Sequence, residues 1–197
     1  MIAGVVPCAG ASERMRTPKA LLELEGATFV ETVVARLRDG GCDPVVVVVP
    51  EAAAIEAAAR ATEATVVGNH DPGEGPITSL RLALAELGSS PEGFLYLPVD
   101  HPFVRSETIG QLLKAAEASS APLVLPMYAG SRGHPCFFRS ALFEELNDPT
   151  LEGGARTVVH RHLARAELVA VDDPGVLADI DTPHAYADAL SARAGSS

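Results

Sequence analysis

Apolar and polar positions alternate in two patterns along the chain. Short runs of consecutive apolar residues, many of them valines, are typical of strands that a parallel sheet buries on both faces. These runs predict strands at residues 2–6, 44–49, 64–67, 93–99, 122–126 and 167–171. Elsewhere apolar residues recur every three or four positions, which predicts helices at residues 28–39, 51–61, 77–87, 107–118, 140–146 and 183–192. The alternation predicts an α/β fold, a single domain with a mostly parallel, doubly wound sheet between layers of helices.

The pattern changes in the last third of the chain. A turn rich in glycine at residues 128–135 leads into the apolar run 136–138, which predicts a hairpin and one antiparallel strand region. The short helix after it is predicted to use Ser140 as its cap, and residues 20–26 are predicted to form a short extended piece. The domain is expected to span residues 1–192, with a flexible tail at 193–197.

Composition narrows the possible partners. The chain has 197 residues and a formal net charge of −11, which argues against a nucleic-acid polymer or an anionic membrane as partner. No apolar run is long enough for a transmembrane helix, and no basic segment precedes the first strand, so a cytoplasmic location is expected. Cys8, Cys42 and Cys136 lack the spacing of a disulfide framework or a zinc site. Cys8, next to the cationic segment, is expected to be a small buried hydrophobe, with a reactive thiol as the alternative.

The segment after the first strand, residues 7–19, combines small residues with cations. Arg14, Arg16 and Lys19 stand with a single acid, Glu13. Small residues let backbone N–H groups approach an anion closely, so the segment predicts a phosphate-binding loop; the alternative is a solvated surface loop. It matches neither G-x-G-x-x-G nor G-x-x-x-x-G-K-[ST], which disfavours a dinucleotide-dependent dehydrogenase.

Asp100 is the first candidate metal ligand. It follows the strand predicted at 93–99 and precedes Pro102. Ligands collect at the carboxyl edge of open α/β sheets, so Asp100 is expected beside the loop at Gly10. A carboxylate there can hold Mg²⁺, which prefers oxygen and takes one or two protein carboxylates; the alternative is a helix cap or turn former. His101 is not expected to be a ligand, because neighbours in a turn seldom converge on one ion.

The loop also resembles the signature of a known family. The nucleotidyltransferases similar to the molybdenum cofactor guanylyl- and cytidylyltransferases open with L-A-A-G-x-S-x-R-M-G-x-x-K-x-L-L. Pro7 and Cys8 depart from this pattern, and Arg16 stands where the family has Gly. Arg16 is therefore either strained or an additional phosphate contact. The matching residues are Ala9, Gly10, Ser12, Arg14, Met15, Lys19, Leu21 and Leu22.

The resemblance covers nearly the whole chain and implies a three-layer, Rossmann-like fold of the nucleotide-diphospho-sugar transferase type. Residues 1–100 would form the nucleotide-binding half and residues 101–192 the acceptor-binding half. Arg14 and Lys19 would act on the triphosphate together with Asp100. The nucleotide-binding residues implied in this way are Ala9, Gly10, Ala11, Ser12, Arg14, Lys19, Asn69, Gly75 and Ser79.

Three further motifs extend the resemblance. Asp-Ile-Asp-Thr-Pro at residues 179–183 implies Asp181 as the second Mg²⁺ carboxylate beside Asp100, with Asp179 as the alternative. Gly-His-Pro and Gly-Ala-Arg segments imply that His134 and Arg156 contact the acceptor. For His134, a structural turn histidine is the alternative.

The implied reaction is Mg²⁺-dependent transfer of CMP from CTP to the terminal phosphate of molybdopterin cofactor, with pyrophosphate as the leaving group. Such chemistry needs positioning and charge neutralisation and no protein nucleophile. The alternatives are a GTP-dependent enzyme, an enzyme for a sugar or alcohol phosphate, and a catalytically weak chaperone that hands the cofactor to a client molybdoenzyme.

Overall fold

The computed structural model of the protein describes residues 1–8, 17–71 and 75–194, and side chains as far as residue 190. Residues 9–16 of the predicted phosphate-binding loop, the turn 72–74 and residues 195–197 of the predicted tail lie outside the described residues. Residues 193 and 194, which were predicted to belong to the flexible tail, instead form the end of the last helix. Ten strands are seen in the described part: Ile2–Pro7 (β1), Glu23–Leu24 (β2), Ala27–Thr28 (β3), Val45–Pro50 (β4), Thr65–Asn69 (β5), Gly93–Tyr96 (β6), Leu123–Tyr128 (β7), Ser131–Arg132 (β8), Cys136–Arg139 (β9) and Glu167–Ala170 (β10).

Seven α-helices accompany these strands in the same described ranges. Short 3₁₀ turns occur between several of them, including one at Lys19–Leu21 and one at Pro174–Leu177. The helices are Phe29–Asp39 (α1), Ala53–Arg60 (α2), Pro76–Leu87 (α3), Ser106–Ala118 (α4), Phe143–Asn147 (α5), Ala155–His162 (α6) and Pro183–Ala194 (α7).

The main sheet has the strand order β10-β7-β9-β6-β1-β4-β5, and β8 pairs with the last two residues of β7. β9 runs antiparallel to both β6 and β7, whereas β1, β4, β5 and β6 pair in parallel, as do β7 and β10. The parallel strands therefore end at one common edge. This arrangement confirms the predicted mostly parallel sheet with one antiparallel region.

Alternating valines of β4 show why the sheet is covered on both faces. Val45, Val47 and Val49 pack in the same core as α1, α2 and α4. Val46 and Val48 pack in the opposite core with α3, α5 and α6. Because successive side chains of a strand point to opposite faces, an all-valine strand buries both, and the three-layer domain follows.

Local signals in the sequence explain where α1 begins. The Thr28 hydroxyl accepts a hydrogen bond from the Glu31 N–H, and the Glu31 carboxylate accepts one from the Thr28 N–H at 2.7 Å. This reciprocal capping satisfies two N–H groups that the first helical turn would leave without partners.

Three local predictions were wrong at their boundaries. The strand predicted at 93–99 ends at Tyr96, where its pairing with β9 stops before Pro98, which has no N–H to donate. The Leu97 and Val99 N–H groups still donate to the carbonyl oxygens of Val5 and Pro7 in β1. Ser140 does not cap the following helix; it begins a 3₁₀ turn, and α5 starts after Leu142 without a side-chain cap. Residues 20–26 are a 3₁₀ turn followed by one strand of the β2–β3 hairpin.

Cys8, Cys42 and Cys136 are all free and buried, and the predicted burial of Cys8 is confirmed. Burial raises the pKa of the thiols of Cys8 and Cys42 to about 12, and that of Cys136 further still. Each cysteine therefore packs as a small apolar side chain. In the described ranges, no helix is both long and apolar enough to cross a membrane.

Candidate active site

Three distant segments bring Lys19, Asp100 and Asp181 together at the carboxyl edge of the sheet. Lys19 opens the 3₁₀ turn that follows the phosphate-loop segment, Asp100 lies four residues beyond β6, and Asp181 lies two residues before α7. The Lys19 ammonium donates a hydrogen bond to Asp100 Oδ2 at 3.0 Å and another to Asp181 Oδ1. The cluster, called here the cation cluster, thus consists of two carboxylates that share one positive charge.

Opposing effects set the charge states in the cation cluster. Burial alone would raise the pKa of Asp100, but hydrogen bonds and charges from His101 and Lys19 hold that pKa well below its usual range. Burial alone would lower the pKa of Lys19, but the contacts with Asp181 and Asp100 raise it. Asp100 is therefore ionised and Lys19 protonated near neutral pH.

The donor set of the cation cluster fits a hard divalent cation. Lys19 Nζ already occupies the position of a cation between two carboxylates, so these oxygens are oriented for positive charge. Within the described ranges no group of three or more His, Cys, Asp or Glu side chains could hold a metal ion. Mg²⁺ needs no such cage, since it keeps several waters and is bound by one or two carboxylates plus substrate phosphates.

The segment around Asp181 is tied directly to Asp100. The Ile180 N–H donates to the Asp100 carbonyl oxygen at 2.9 Å, and Ile180 is buried. Asp181 on one side of it reaches Lys19, whereas Asp179 on the other side is exposed to solvent. Thr182 caps α7 by accepting from the Ala185 N–H at 3.1 Å, as its position before Pro183 predicts. The assignment of a metal to Asp181 in place of Asp179 stays a prediction.

The phosphate-loop segment leaves β1 beside Asp100. The Val99 N–H donates to the Pro7 carbonyl oxygen at 3.4 Å, and the Cys8 N–H donates to the Val48 carbonyl oxygen at 2.8 Å. The predicted contacts of Arg14 and of the backbone from Ala9 to Ser12 lie outside the described residues and stay predictions.

The residues implied to contact the base form a buried junction between β5 and α3. Asn69 Nδ2 donates to Ser79 Oγ at 3.0 Å and to Thr78 Oγ1 at 3.3 Å, while its Oδ1 accepts from the Asp71 N–H. Asn69 and Ser79 are almost entirely buried. Gly75 precedes α3 with a φ of 82°, and a Cβ there would meet open space. The junction therefore positions the start of α3, and direct contact of Asn69 or Ser79 with a base stays a prediction.

His134 and Arg156 line one pocket of about 930 Å³. Because both residues are predicted to contact the acceptor, it is called here the acceptor pocket. Its floor includes Leu125 and Phe138, which are buried, and its wall includes the start of α6. The polar side chains at the pocket are Tyr96, Ser131, Arg132, His134, Arg156 and His160. The sequence-predicted pair is therefore brought together, in a cavity with an apolar floor and two arginines.

His134 connects the acceptor pocket to the cation cluster. Its ring lies edge-on to that of His101, with 4.6 Å between centroids, and His101 Nδ1 lies 3.0 Å from Asp100 Oδ1. Burial, with the nearby charge of His101, lowers the pKa of His134 to about 4. Its buried Nδ1 has no hydrogen-bond partner among the described residues. The sequence-based reasoning missed His101, which is the hydrogen-bond partner of Asp100.

The fold and the cation cluster define a nucleotide-transferring protein of the nucleotide-diphospho-sugar transferase type. Residues 4–166 match the model of the MobA-like NTP transferase domain. The chain belongs to this family, and the predicted family resemblance is confirmed.

Relatives of the chain carry two kinds of name. It is 31% identical over 191 residues to the nicotine blue oxidoreductase of Paenarthrobacter nicotinovorans, covering 92% of both chains. It is 29% identical over 188 residues to a probable molybdenum cofactor guanylyltransferase of Mycobacterium avium, covering 92% of this chain and 91% of that protein.

One solved structure is similar to this chain in both fold and sequence. Rv0371c from Mycobacterium tuberculosis superposes with a TM-score of 0.84 and 32% identity, over 96% of this chain and 98% of that one. The same protein has been crystallised in complex with manganese, in a structure with a TM-score of 0.80 to this chain. The comparisons thus support the nucleotidyltransferase class and leave the cytidylyl and guanylyl branches unresolved.

Proposed function

We propose that the protein is a Mg²⁺-dependent nucleotidyltransferase that transfers CMP from CTP to the terminal phosphate of molybdopterin cofactor and releases pyrophosphate. The observation that carries this proposal is the meeting of Lys19, Asp100 and Asp181 beside the end of β1. Two carboxylates and an ammonium at the carboxyl edge of a parallel sheet suit a metal-bound triphosphate.

Each group has a distinct part in the proposed reaction. When bound, Mg²⁺ neutralises negative charge on the phosphate oxygens. Asp100 and Asp181 would hold it, and Lys19 would stabilise the charge on the α-phosphate. Arg14 and the backbone of residues 9–12 would hold the leaving pyrophosphate. The attacking phosphate needs no protein nucleophile, because positioning and charge neutralisation account for most catalysis of this kind.

The acceptor pocket suits a planar acceptor that carries phosphate. Arg156 is exposed at the start of α6, where a helix N-terminus also favours an anion, and Arg132 adds a second cation nearby. The apolar floor formed by Leu125 and Phe138 can pack against the face of a fused ring. These features favour molybdopterin cofactor over a small alcohol phosphate.

The choice of nucleotide base, cytosine or guanine, is the most specific part of the proposal. The Gly-His-Pro segment, with Asn69, Gly75 and Ser79, favours CTP by family resemblance. Gly75-Pro76 also resembles the guanylyl branch, and several relatives are named guanylyltransferases. GTP is therefore the paired alternative, and both nucleotides belong in the same experiment.

A second candidate is an oxidoreductase. It is motivated by the 31% identity to nicotine blue oxidoreductase along 92% of the chain. Reduction of a planar dye-like substrate would use the same pocket but would need a redox donor and no triphosphate. Oxidation of a reduced nicotinamide by the purified protein with such an acceptor, in the absence of CTP and GTP, would favour this candidate.

The test is pyrophosphate release with Mg²⁺, molybdopterin cofactor and either CTP or GTP, each component omitted in turn. Release that needs CTP and the cofactor is the expected result. Release only with GTP would change the base and keep the reaction class. Cofactor binding without release from either nucleotide would overturn the enzyme proposal and favour the chaperone.

A further inference from the structure

A buried carboxylate outside the cation cluster, Asp173, makes an unusual number of hydrogen bonds. Only 2% of its surface is exposed. It accepts from the Arg105 N–H at 2.9 Å, from the Thr108 hydroxyl at 2.7 Å and from the Gly175 N–H at 2.9 Å. The Arg105 guanidinium lies 3.7 Å away. A charged group this deeply buried is tolerated only because such partners replace its hydration.

The contacts of Asp173 join two separate parts of the chain. Arg105 precedes the first residue of α4 and provides no side-chain cap of its own. Asp173, in the distant segment 173–181 that ends at Asp181, accepts from the Arg105 N–H and from the Thr108 hydroxyl in the first turn of α4. The start of α4 is thereby fixed to the segment that carries one of the two carboxylates of the cation cluster.

Segment 173–181 also touches both halves of the site. The Val176 carbonyl oxygen accepts from the His134 N–H at 2.8 Å, and the Ile180 N–H donates to the Asp100 carbonyl oxygen at 2.9 Å. One short stretch of backbone is thus bonded to the acceptor pocket at one point and to the cation cluster at another.

Two glycines allow this close packing. A Cβ on Gly175 would lie 2.3 Å from the Phe103 carbonyl oxygen, and one on Gly133 would lie 2.1 Å from that of Val176. Both contacts are with backbone, which cannot move aside as a side chain does. The segment therefore has one closely defined position between the β6–α4 connection and the turn before β9.

We infer that Asp173 is a positioning residue, which fixes segment 173–181 and thereby holds Asp181 opposite Asp100 and Val176 against His134. This role rests on the proposed function for its catalytic meaning. Asp173 itself contacts none of the reacting groups; it acts through Ile180, Asp181 and Val176.

The experiment compares Asp173→Asn with Asp172→Asn. Both variants remove one negative charge from the same turn, but Asp172 is exposed and Asp173 is buried. Both carboxylate oxygens of Asp173 accept hydrogen bonds. In asparagine an NH₂ group replaces one of these oxygens, and this group cannot accept a hydrogen bond from a backbone N–H. Hydrogen exchange at the Ile180 and His134 amides is measured without nucleotide or metal, at a temperature well below unfolding. Binding of Mn²⁺ alone is measured on the same proteins.

In Asp173→Asn we expect exchange at both amides to rise about tenfold and the Kd for Mn²⁺ to rise severalfold. Asp172→Asn should match the parent protein in both. If Asp173→Asn lowers only the melting temperature and leaves exchange and Mn²⁺ affinity unchanged, the residue is merely structural and the inference is overturned.

Two further outcomes are decisive. If Asp173→Asn does not fold, Thr108→Val removes one of the three hydrogen bonds, and unchanged exchange at Ile180 in that variant also overturns the inference. If the parent protein binds no Mn²⁺ either alone or with CTP or GTP present, the metal site of the proposed function is wrong, while faster exchange in Asp173→Asn still supports the positioning role. Failure of the two proposals can therefore be told apart.

Discussion

The cation cluster and the acceptor pocket differ in how their polar groups are hydrogen-bonded. In the cation cluster, Lys19 donates hydrogen bonds to both carboxylates, and His101 Nδ1 is hydrogen-bonded to the other oxygen of Asp100. In the acceptor pocket, the Nδ1 atom of His134 has no hydrogen-bond partner in the described part of the chain, and Arg156 is exposed.

This difference separates two tasks. Charges that are already paired inside the protein are held in fixed positions, which is what neutralisation of a triphosphate needs. Polar groups that line an open pocket are left to be satisfied by a ligand, which is what discrimination between acceptors needs. The following predictions test whether the two regions divide the work in this way.

The largest effect is expected from Asp100→Ala. Loss of this carboxylate removes half of the proposed metal site, so Mg²⁺-dependent pyrophosphate release should fall by about a thousandfold. Circular dichroism should show a folded protein, because Asp100 lies in a loop. Asp172→Asn is the control for loss of one acidic charge. Turnover equal to that of the parent would remove Asp100 from the site.

Lys19→Met is expected to have two effects of opposite sign. Turnover should fall by about a hundredfold, because the variant lacks the cation that we propose at the α-phosphate. The affinity for Mn²⁺ without nucleotide should rise severalfold, because the ammonium no longer competes for Asp100 and Asp181. Calorimetric titration measures the second effect. Weaker Mn²⁺ binding in Lys19→Met would show that the two carboxylates do not hold the metal.

The pH dependence of stability tests the buried state of His134. Its folded pKa of about 4 lies below the ordinary value of 6.5. The unfolded chain therefore binds a proton that the folded protein excludes, and stability is lost as pH falls through this interval. By about pH 5 the loss reaches about 2 kcal/mol.

Urea unfolding at neutral pH and at about pH 5 measures this dependence. His134→Gln should reduce the loss by most of that amount, whereas a matched change at the exposed His184 should not. An equal loss in His134→Gln and the parent protein would assign the titration to another group.

The smallest effect is expected from Arg156→Gln. The KM for the acceptor should rise by about tenfold, because the variant loses the hydrogen bonds that an exposed arginine would make to a phosphate. The KM for the nucleotide should not change, since the two substrates are proposed to occupy different regions. Arg165→Gln is the control, because Arg165 is also exposed and lies beyond α6. Equal shifts in both KM values would contradict the separation of the two regions.

Periodicity carried most of the information about the fold. The valine run of β4 is stable only as a strand that is covered on both faces. The helical spacing of Phe29, Val33 and Leu37 is stable only as a helix that packs against the sheet. The end of β6 was predicted less well. Apolar residues continue to Val99, but the pairing with β9 stops at Tyr96, before Pro98, which has no N–H to donate.

The site was predictable only where a motif gives residue identity. Asp100 and Asp181 could be named because each stands in a recognisable motif, and both contact Lys19 in the structure. That Asn69 bonds to Ser79 instead of facing solvent depends on the packing of α3 against β5. The role of Asp173 depends on the distant Arg105 and Thr108, and no local pattern indicates such a partner; an aspartate before Pro174 reads as an ordinary turn.

The three buried cysteines make the protein convenient for site-specific labelling. Maleimide and other thiol reagents attack the thiolate, and thiols whose pKa is raised by burial offer almost none of it near neutral pH. A single cysteine introduced at the exposed position of Asp172 should therefore react alone. A fluorophore or spin label placed there would report directly on segment 173–181 in the otherwise unmodified chain.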